Sequence, residues 1–173
     1  MSIPADDTSR NLTHVNVETR PHVSLVGDTY TTLLTSKDTA GKYCLVDMHV
    51  PPGGGPPPHR HDFEETFIVL DGEIEATFRG ATSTIKAGET IHIPGNAPHQ
   101  FRNASAHPAR LLCICAPAGQ EEFFAQVGVP VATRTGPPPK PTPEAQAKIH
   151  NSRRIPRPKI QNRISPTRIT KRK

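Results

Sequence analysis

The sequence predicts an all-β domain, and three observations carry that prediction. Short apolar segments alternate with turn residues between about residues 13 and 117, and no helical period competes with them. In EIEATFR, Ile74, Ala76 and Phe78 alternate with polar residues, as on a strand with one buried face. Glycine and proline separate the segments, most densely in PPGGGPPP at 51–58. Together they favour a β-barrel.

The predicted strands lie on both sides of PPGGGPPP. Before it come HVNVE, HVSLV, TYTTLL and YCLVDMHV, and after it ETFIVL, EIEATFR, TSTIKA, TIHIP, HQFRN and ARLLCIC. Asp71 and Gly72 join ETFIVL to EIEATFR with the composition of a two-residue hairpin, in which both turn residues need a positive φ. We therefore expect these two strands to pair with each other.

Two segments predict how the barrel is covered. TFIVL is apolar on both faces, so it needs an inner cover and an outer one, which a second sheet or another subunit can supply. We expect a homodimer. GQEEFFAQVG predicts a helix near 119–127, with Glu121 and Glu122 in its first turn and Phe123 and Val127 on one face. Its phenylalanines should pack on the barrel.

Charge divides the chain into unlike parts. Residues 137–173 hold 11 basic side chains and one acidic one, whereas the first 136 residues hold 10 basic and 15 acidic ones. The basic part has eight prolines and no aromatic residue, a composition that buries too little surface to fold. We predict an N-terminal arm at 1–19, a barrel with its helix at 20–128, and a disordered tail at 129–173. The tail can contact anionic surfaces without sequence preference.

The ends and the cysteines indicate a cytoplasmic protein. The N-terminus lacks the pattern of a signal peptide, and the sequence has no apolar run long enough for a membrane span. Cys44, Cys113 and Cys115 are an odd number without C-x-x-C spacing, which favours reduced thiols. Cys113 and Cys115 share one face of a predicted strand. We interpret them as small core residues in preference to redox or metal-binding groups.

The stretch HRHDFEETFIVLDGE, residues 59–73, carries the candidate metal ligands. His59 and His61 project from one side of a strand, and Glu65 follows at an even offset. His99 lies on a later strand. Three imidazoles and one carboxylate suit a transition metal such as iron, manganese, nickel, cobalt or zinc, with open positions for water or substrate. Glu64 is a fallback ligand only in a different register.

These residues resemble the two signature motifs of the cupin family. Gly53, His59, His61, Glu65 and Gly72 fit G(x)5HxH(x)3-4E(x)6G. The second motif, G(x)5PxG(x)2H(x)3N, is matched by Gly88, Pro94, His99 and Asn103. Gly95-Asn96 stands where x-Gly is expected, and asparagine tolerates the left-handed conformation. The resemblance covers about residues 20–128 and implies a jelly-roll-like barrel that holds one divalent metal, without specifying a reaction.

The inward-facing residues predict an apolar pocket beside the metal. Phe67 and Val69 continue the face of Glu65, and Phe101 continues that of His99. Phe63 lies at the mouth as a gate or a packing residue. His49 can line the cavity, although a hydrogen-bonded position in the wall is favoured. Arg60 and Arg102 fall out of phase with the ligands, so we expect a neutral or aromatic small-molecule substrate.

Three classes of function fit the sequence. The favoured one is an oxidoreductase similar to the quercetin dioxygenase-type cupins, in which Glu65 accepts a proton from a hydroxylated aromatic or enolisable substrate. The second is a metal-dependent isomerase or decarboxylase, which would not consume oxygen. The third is a non-enzymatic small-molecule-binding cupin.

Overall fold

The computed structural model describes residues 3–140 and residue 142, and it has the predicted all-β architecture. A 3-10 helix occupies Val17–Thr19. The strands are β1 His22–Leu25, β2 Asp28–Leu34, β3 Cys44–Val50, β4 Glu64–Asp71, β5 Glu73–Phe78, β6 Ala81–Lys86, β7 Thr90–Ile93, β8 His99–Arg102, β9 Ala109–Ala116 and β10 Val129–Val131. The helix α1 is Gln120–Val127 and lies between β9 and β10.

The strands form two antiparallel sheets that enclose the core. The larger sheet has the order β10-β1-β2-β3-β9-β4-β7, and the smaller one has the order β6-β5-β8. Phe67 and Val69 of β4 are buried at 2% and 1% exposure, and Ile74 of β5 is buried at 1%. On the other face of β4, Ile68 is half-buried and Leu70 is 42% exposed. The outer apolar face of β4 is therefore partly exposed to solvent in the single chain.

The predicted hairpin at Asp71-Gly72 is wrong. β4 pairs with β7 and β9, whereas β5 pairs with β6 and β8, so the chain passes from one sheet to the other at Gly72. Gly72 has a φ of +70°, and a Cβ there would lie 2.8 Å from the Pro108 carbonyl oxygen. Gly72 therefore allows the chain to cross from one sheet to the other. Such a crossing and a tight hairpin turn both require glycine, so the sequence pattern does not distinguish them.

The N-terminal segment HVNVE does not form the predicted strand. Val17–Thr19 forms the 3-10 helix instead, and the side chain of Asn16 accepts a hydrogen bond from the Glu18 N–H at 3.0 Å. Asparagine caps helices well in this way, and the local bond competes with strand pairing.

The predicted helix near 119–127 is confirmed. Both carboxylate oxygens of Glu121 accept backbone N–H groups, from Ser36 at 2.6 Å and from Gly119 at 2.7 Å. Phe124 is buried and stacks on Tyr30 of β2 with ring centroids 4.3 Å apart, while Phe123 packs partly buried against the core. The helix is thereby fixed over one side of the barrel.

The first residues of the predicted tail belong to the sheet. Val129–Val131 pairs antiparallel with β1, His22 opposite Val131. Arg134 continues across the outer face, with its guanidinium 3.2 Å from the Glu18 carboxylate and 3.5 Å from that of Asp47. The disorder predicted for residue 141 and residues 143–173 falls outside the described residues. In the described part of the chain, none of the helices is long and apolar enough to cross a membrane.

Candidate metal centre

The glycine-rich loop after β3 carries the first ligand to its position. Gly53 donates its N–H to the Asn103 carbonyl at 2.8 Å, and Asn103 returns an N–H to Gly54 at 2.9 Å. Gly55 has a φ of +123°, and a Cβ there would lie 2.2 Å from the Phe101 carbonyl oxygen. Only glycine permits this approach of the loop to β8. His59 then forms a two-way backbone bridge with His99, at 2.9 and 3.0 Å.

The four predicted ligands converge. One ligand atom from each of His59, His61, Glu65 and His99 lies within 4.8 Å of the others. Glu65 Oε2 is 3.1 Å from His61 Nε2 and 3.1 Å from His99 Nε2. Adjacent ligand atoms about 2.0–2.1 Å from a shared ion lie roughly 2.9–3.3 Å apart in octahedral or tetrahedral sites. The cluster therefore fits a divalent transition metal.

Backbone carbonyls fix the orientation of the three imidazoles. His59 Nδ1 lies 2.9 Å from the Pro57 oxygen, His61 Nδ1 lies 3.0 Å from the Phe63 oxygen, and His99 Nδ1 lies 2.9 Å from the Ala97 oxygen. Because a carbonyl only accepts hydrogen bonds, each Nδ1 carries a proton. Each Nε2 then either carries a second proton, which His61 and His99 can donate to Glu65, or keeps the lone pair that binds a metal. This is the second coordination sphere that metal-binding histidines use.

The electrostatics of the cluster favour an anionic Glu65. Burial raises the pKa of this carboxyl group, but hydrogen bonds from His61 and His99 outweigh burial and lower the pKa to about 2. Burial lowers the pKa of His59. For His99, burial acts downward, and the hydrogen bond to Glu65 gives a net increase of its pKa. At neutral pH the site thus offers a carboxylate as its anionic ligand.

Two cysteines contact the second oxygen of Glu65. Cys113 Sγ lies 3.3 Å from Glu65 Oε1, Cys115 Sγ lies 3.8 Å from it, and the two sulfur atoms are 3.5 Å apart. Both cysteines are buried, as expected of core residues. Their contact with a candidate ligand was not predicted, because it depends on the pairing of Glu65 with Cys115 between β4 and β9.

Three of the four candidate ligands, His59, His61 and Glu65, lie in the wall of a cavity of about 680 Å³, a volume typical of small-molecule sites. Its apolar wall comes from both sheets and from α1. The residues that contribute to this wall include Leu25, Tyr30, Met48, Phe63, Phe67, Phe101, Phe123 and Phe124. Phe67 meets Phe101 edge to face at 5.2 Å. The cavity is therefore apolar beside the polar cluster of candidate ligands, the arrangement that the sequence predicts.

Three of the five predicted pocket residues line this cavity. Phe63, Phe67 and Phe101 do, and Phe63 also stacks on the His61 ring at 3.5 Å. Val69 does not line it: this residue is paired with Leu111 and is buried in the core. Nor does His49, because it points to the opposite face of β3 from Met48, which lines the cavity.

The structure adds residues that the sequence pattern did not indicate. Arg60 lies at the rim of the cavity, although strand alternation placed it away from the ligands. Residues 60–63 lie outside the strands, with a bend at 62–63, so alternation does not apply there. Tyr30, Met48 and Cys113 also line the cavity, and whether their strands border it depends on how the sheet is paired. Phe123 lines it from α1. Cross-strand pairing is the signal that would have identified them.

The departure from the second motif leaves the site intact, as predicted. Asn96 adopts the left-handed conformation with a φ of +64°, and its N–H donates to the His61 carbonyl at 2.6 Å. Asparagine is tolerated there better than most residues. The turn therefore supports the loop that carries His61.

Comparisons with known proteins agree with this geometry. The family model described as "Cupin domain" matches residues 46–115. Quercetin 2,3-dioxygenase of Bacillus subtilis is 28% identical over 95 residues, which are 54% of this chain and 28% of that protein. An uncharacterized protein of Methanocaldococcus jannaschii is 30% identical over 105 residues, 60% of this chain and 84% of that protein. The chain thus spans under a third of the dioxygenase.

A solved structure supports the fold. The structure of an RmlC-like cupin from Shewanella frigidimarina superimposes with a TM-score of 0.57 at 15% identity, covering 66% of this chain and 99% of that one. At this identity the likeness concerns architecture alone. It extends over nearly the whole of the Shewanella chain.

Proposed function

This chain belongs to the cupin family, and from that premise we propose that it is a metal-dependent dioxygenase. Its substrate would be a hydroxylated aromatic or enolisable small molecule. His59, His61, Glu65 and His99 would hold one divalent transition metal per barrel. Glu65 would also be the catalytic residue, since it is the one carboxylate among the four ligands.

One observation carries the proposal. Three imidazoles, each with Nδ1 bound to a backbone carbonyl, present Nε2 beside a buried carboxylate at an apolar cavity. Such a set leaves coordination positions for substrate. When bound, the metal supplies Lewis acidity and a place for oxygen next to the substrate. The protein supplies geometry and a proton acceptor.

The side chains around the ligands suit an acidic aromatic or enolic hydroxyl. Glu65 Oε2 lies at the centre of the ligand cluster, 3.1 Å from two imidazoles. It would accept the hydroxyl proton when those imidazoles bind the metal through Nε2, because the hydrogen bonds that lower the pKa of Glu65 are then absent. Phe67 and Phe101 form an edge-to-face pair that can hold a planar ring. Phe124 and Tyr30 stack on each other and complete the apolar wall. The cavity can therefore accommodate a substrate with a polar hydroxyl at one end and an apolar ring at the other.

Among cupin reactions, the similarity to quercetin 2,3-dioxygenase favours oxygen chemistry. The matched stretch is 28% of that protein, so its whole activity is a hypothesis for this chain. An isomerase or decarboxylase would use the same ligands without consuming oxygen, and a binding protein would retain ligand without turnover.

Oxygen uptake tests the proposal. Protein purified without an affinity tag or chelator is analysed for metal, loaded with iron, manganese, nickel, cobalt or zinc in turn, and mixed with a panel of flavonols and related enols. We expect oxygen uptake that Glu65→Gln loses for the most part and that His92→Ala retains. His92 is a suitable control, since it lies on β7 and bonds Thr66 and Glu64 on the exposed face. Turnover of a substrate without oxygen uptake, or retention without turnover, would overturn the proposal.

We also propose a homodimer formed through the outer face of the larger sheet. Register brings Ile68 of β4 beside Leu112 of β9, and Leu45 of β3 beside Ile114, all half-buried in the single chain. Leu70 continues this apolar face and is 42% exposed. A second copy would cover the patch. Light scattering should give a dimer that Leu70→Glu weakens, and a wild-type monomer would contradict the assignment.

A further inference from the structure

The Glu65 carboxylate faces two chemically different sets of donors. Its Oε2 atom points to the imidazoles of His61 and His99, and its Oε1 atom points to the thiols of Cys113 and Cys115. Glu65 and the two cysteines are buried: Glu65 is 6% exposed, Cys113 1% and Cys115 0%. Two thiols and a carboxylate oxygen within 4.8 Å of one another form a second group with the spacing of metal ligands.

The spacing of this second group fits an ion of the size of zinc. With metal–sulfur bonds of about 2.3 Å and a metal–oxygen bond of about 2.1 Å, a tetrahedral site places two sulfurs about 3.8 Å apart and sulfur and oxygen about 3.6 Å apart. The observed separations are 3.5 Å between Cys113 and Cys115 and 3.3 and 3.8 Å from these sulfurs to Glu65. Small side-chain adjustments would complete the coordination.

We propose that Glu65, Cys113 and Cys115 form a second metal site that binds a thiophilic divalent cation of the zinc and cadmium class. Glu65 would bridge this ion and the ion on the three histidines. Thiolates select soft cations, whereas imidazole and carboxylate suit a wider range, so the two sites differ in preference. Binding displaces one proton from each thiol to solvent. The site requires no particular reaction and goes beyond the proposed dioxygenase activity.

The cavity gives the ion a route to the thiols. Cys113 lies in the cavity wall with Glu65, so a cation that enters beside the histidines reaches its sulfur without crossing the core. Cys44 provides a matched control. It is also a fully buried thiol, and it contacts Cys115 from the neighbouring strand without belonging to the ligand triangle. Its replacement therefore tests whether thiol burial alone produces the signal.

Cadmium titration of the full chain tests the site. The ultraviolet charge-transfer absorption of cadmium–thiolate bonds reports the thiol site, and equilibrium dialysis reports the number of ions bound. We expect a thiolate band in wild type and in Cys44→Ser and His59→Ala. We expect Cys113→Ser/Cys115→Ser to lose the band and one bound ion, while it retains the ion on the histidines.

Each alternative result bears on one site. A wild-type protein that binds cadmium without a thiolate band would overturn the thiol site, and so would a band that survives the double substitution. His59→Ala distinguishes the two sites. If this variant loses oxygen uptake but keeps the cadmium–thiolate band, the histidine site has failed and the thiol site has not. If the double variant does not fold, X-ray absorption of cadmium-loaded wild type decides, since sulfur must appear among the nearest neighbours of the ion.

Discussion

The ring of Phe63 lies flat on the imidazole of His61, with centroids 3.5 Å apart and planes 10° apart, while the Phe63 carbonyl accepts the His61 Nδ1 proton. One residue therefore fixes a candidate metal ligand by packing and by hydrogen bonding. Phe63 is 1% exposed, so this support is rigid. It lies in the bend between the two ligand-bearing segments.

Phe63→Leu should weaken metal binding. The carbonyl bond can persist, but the flat stacking surface is lost, and outer-shell support of this kind is typically worth about 10–100-fold in metal affinity. We expect a loss near the lower end, about tenfold. Competition with a chelator measures it. Phe124→Leu, which removes a buried aromatic ring from α1, controls for general loss of packing and should leave affinity nearly unchanged.

Glu65→Gln and His99→Ala should separate catalysis from metal binding. Removing the carboxylate eliminates the proton acceptor, and general-base catalysis typically contributes about 10²–10⁴-fold to the rate. Glu65→Gln should therefore lose most oxygen uptake while it keeps the fold and part of the metal. His99→Ala should lose metal and uptake together. Parallel metal analysis and oxygen measurement check both, and equal activity of Glu65→Gln and wild type would exclude the assigned base.

Gly55→Ala should disturb the ligand loop more than Gly53→Ala. Both glycines have a positive φ, but a Cβ at Gly55 would lie 2.2 Å from the Phe101 carbonyl oxygen, whereas one at Gly53 meets no atom within 4 Å. Strained φ alone costs roughly 1 kcal/mol, and the clash adds to it. We expect a fall in metal affinity for Gly55→Ala only. Urea unfolding and chelator competition compare the pair.

Asp28 should make stability depend on pH. Burial raises the pKa of this carboxyl group from 3.8 to about 7, although hydrogen bonds from Tyr30 and from the Gly55 N–H act in the opposite direction. The folded state therefore binds the proton more tightly than the unfolded chain, and stability falls as pH rises from about 4 to 7. Asp28→Asn should remove this fall and retain the bond to Gly55.

The free energy of unfolding in urea, measured across that pH range, checks the prediction. Asp38 provides a control of opposite sign, because hydrogen bonds from Thr35 lower the pKa of its carboxyl group. The contribution of Asp38 to the free energy of unfolding is lost as the pH falls through its lowered pKa. A difference between wild type and Asp28→Asn that stays constant from pH 4 to 7 would contradict the assignment.

Spacing along the chain was sufficient to predict which four candidate ligands converge. His59, His61, Glu65 and His99 were predicted from even offsets and glycine positions, and the structure brings them together although residues 60–63 are not in a strand and bend at 62–63. The side chains of histidine and glutamate are long enough to bring their ligand atoms together although the backbone departs from a strand. The same departure explains why Arg60 was placed away from the cavity.

Contacts between strands could not be predicted in the same way. The neighbours of Glu65 depend on β4 pairing with β9, and Gly72 sends the chain to the other sheet where a hairpin was expected. Several pairings are compatible with the same alternation of apolar residues. Tyr30 and Cys113 were therefore missed at the cavity, and His49 was placed in it.

The short strand β10 also governs how the larger sheet meets other chains. It has three residues, forms one margin of that sheet, and carries Pro130 at its centre, which lacks an N–H. At the other margin, β7 has four residues and is followed by Pro94. Brief, proline-bearing margins are poor templates for adding a foreign strand, so both protect the sheet against amyloid-like growth. Association of barrels would then proceed through side chains, without sharing of backbone ladders.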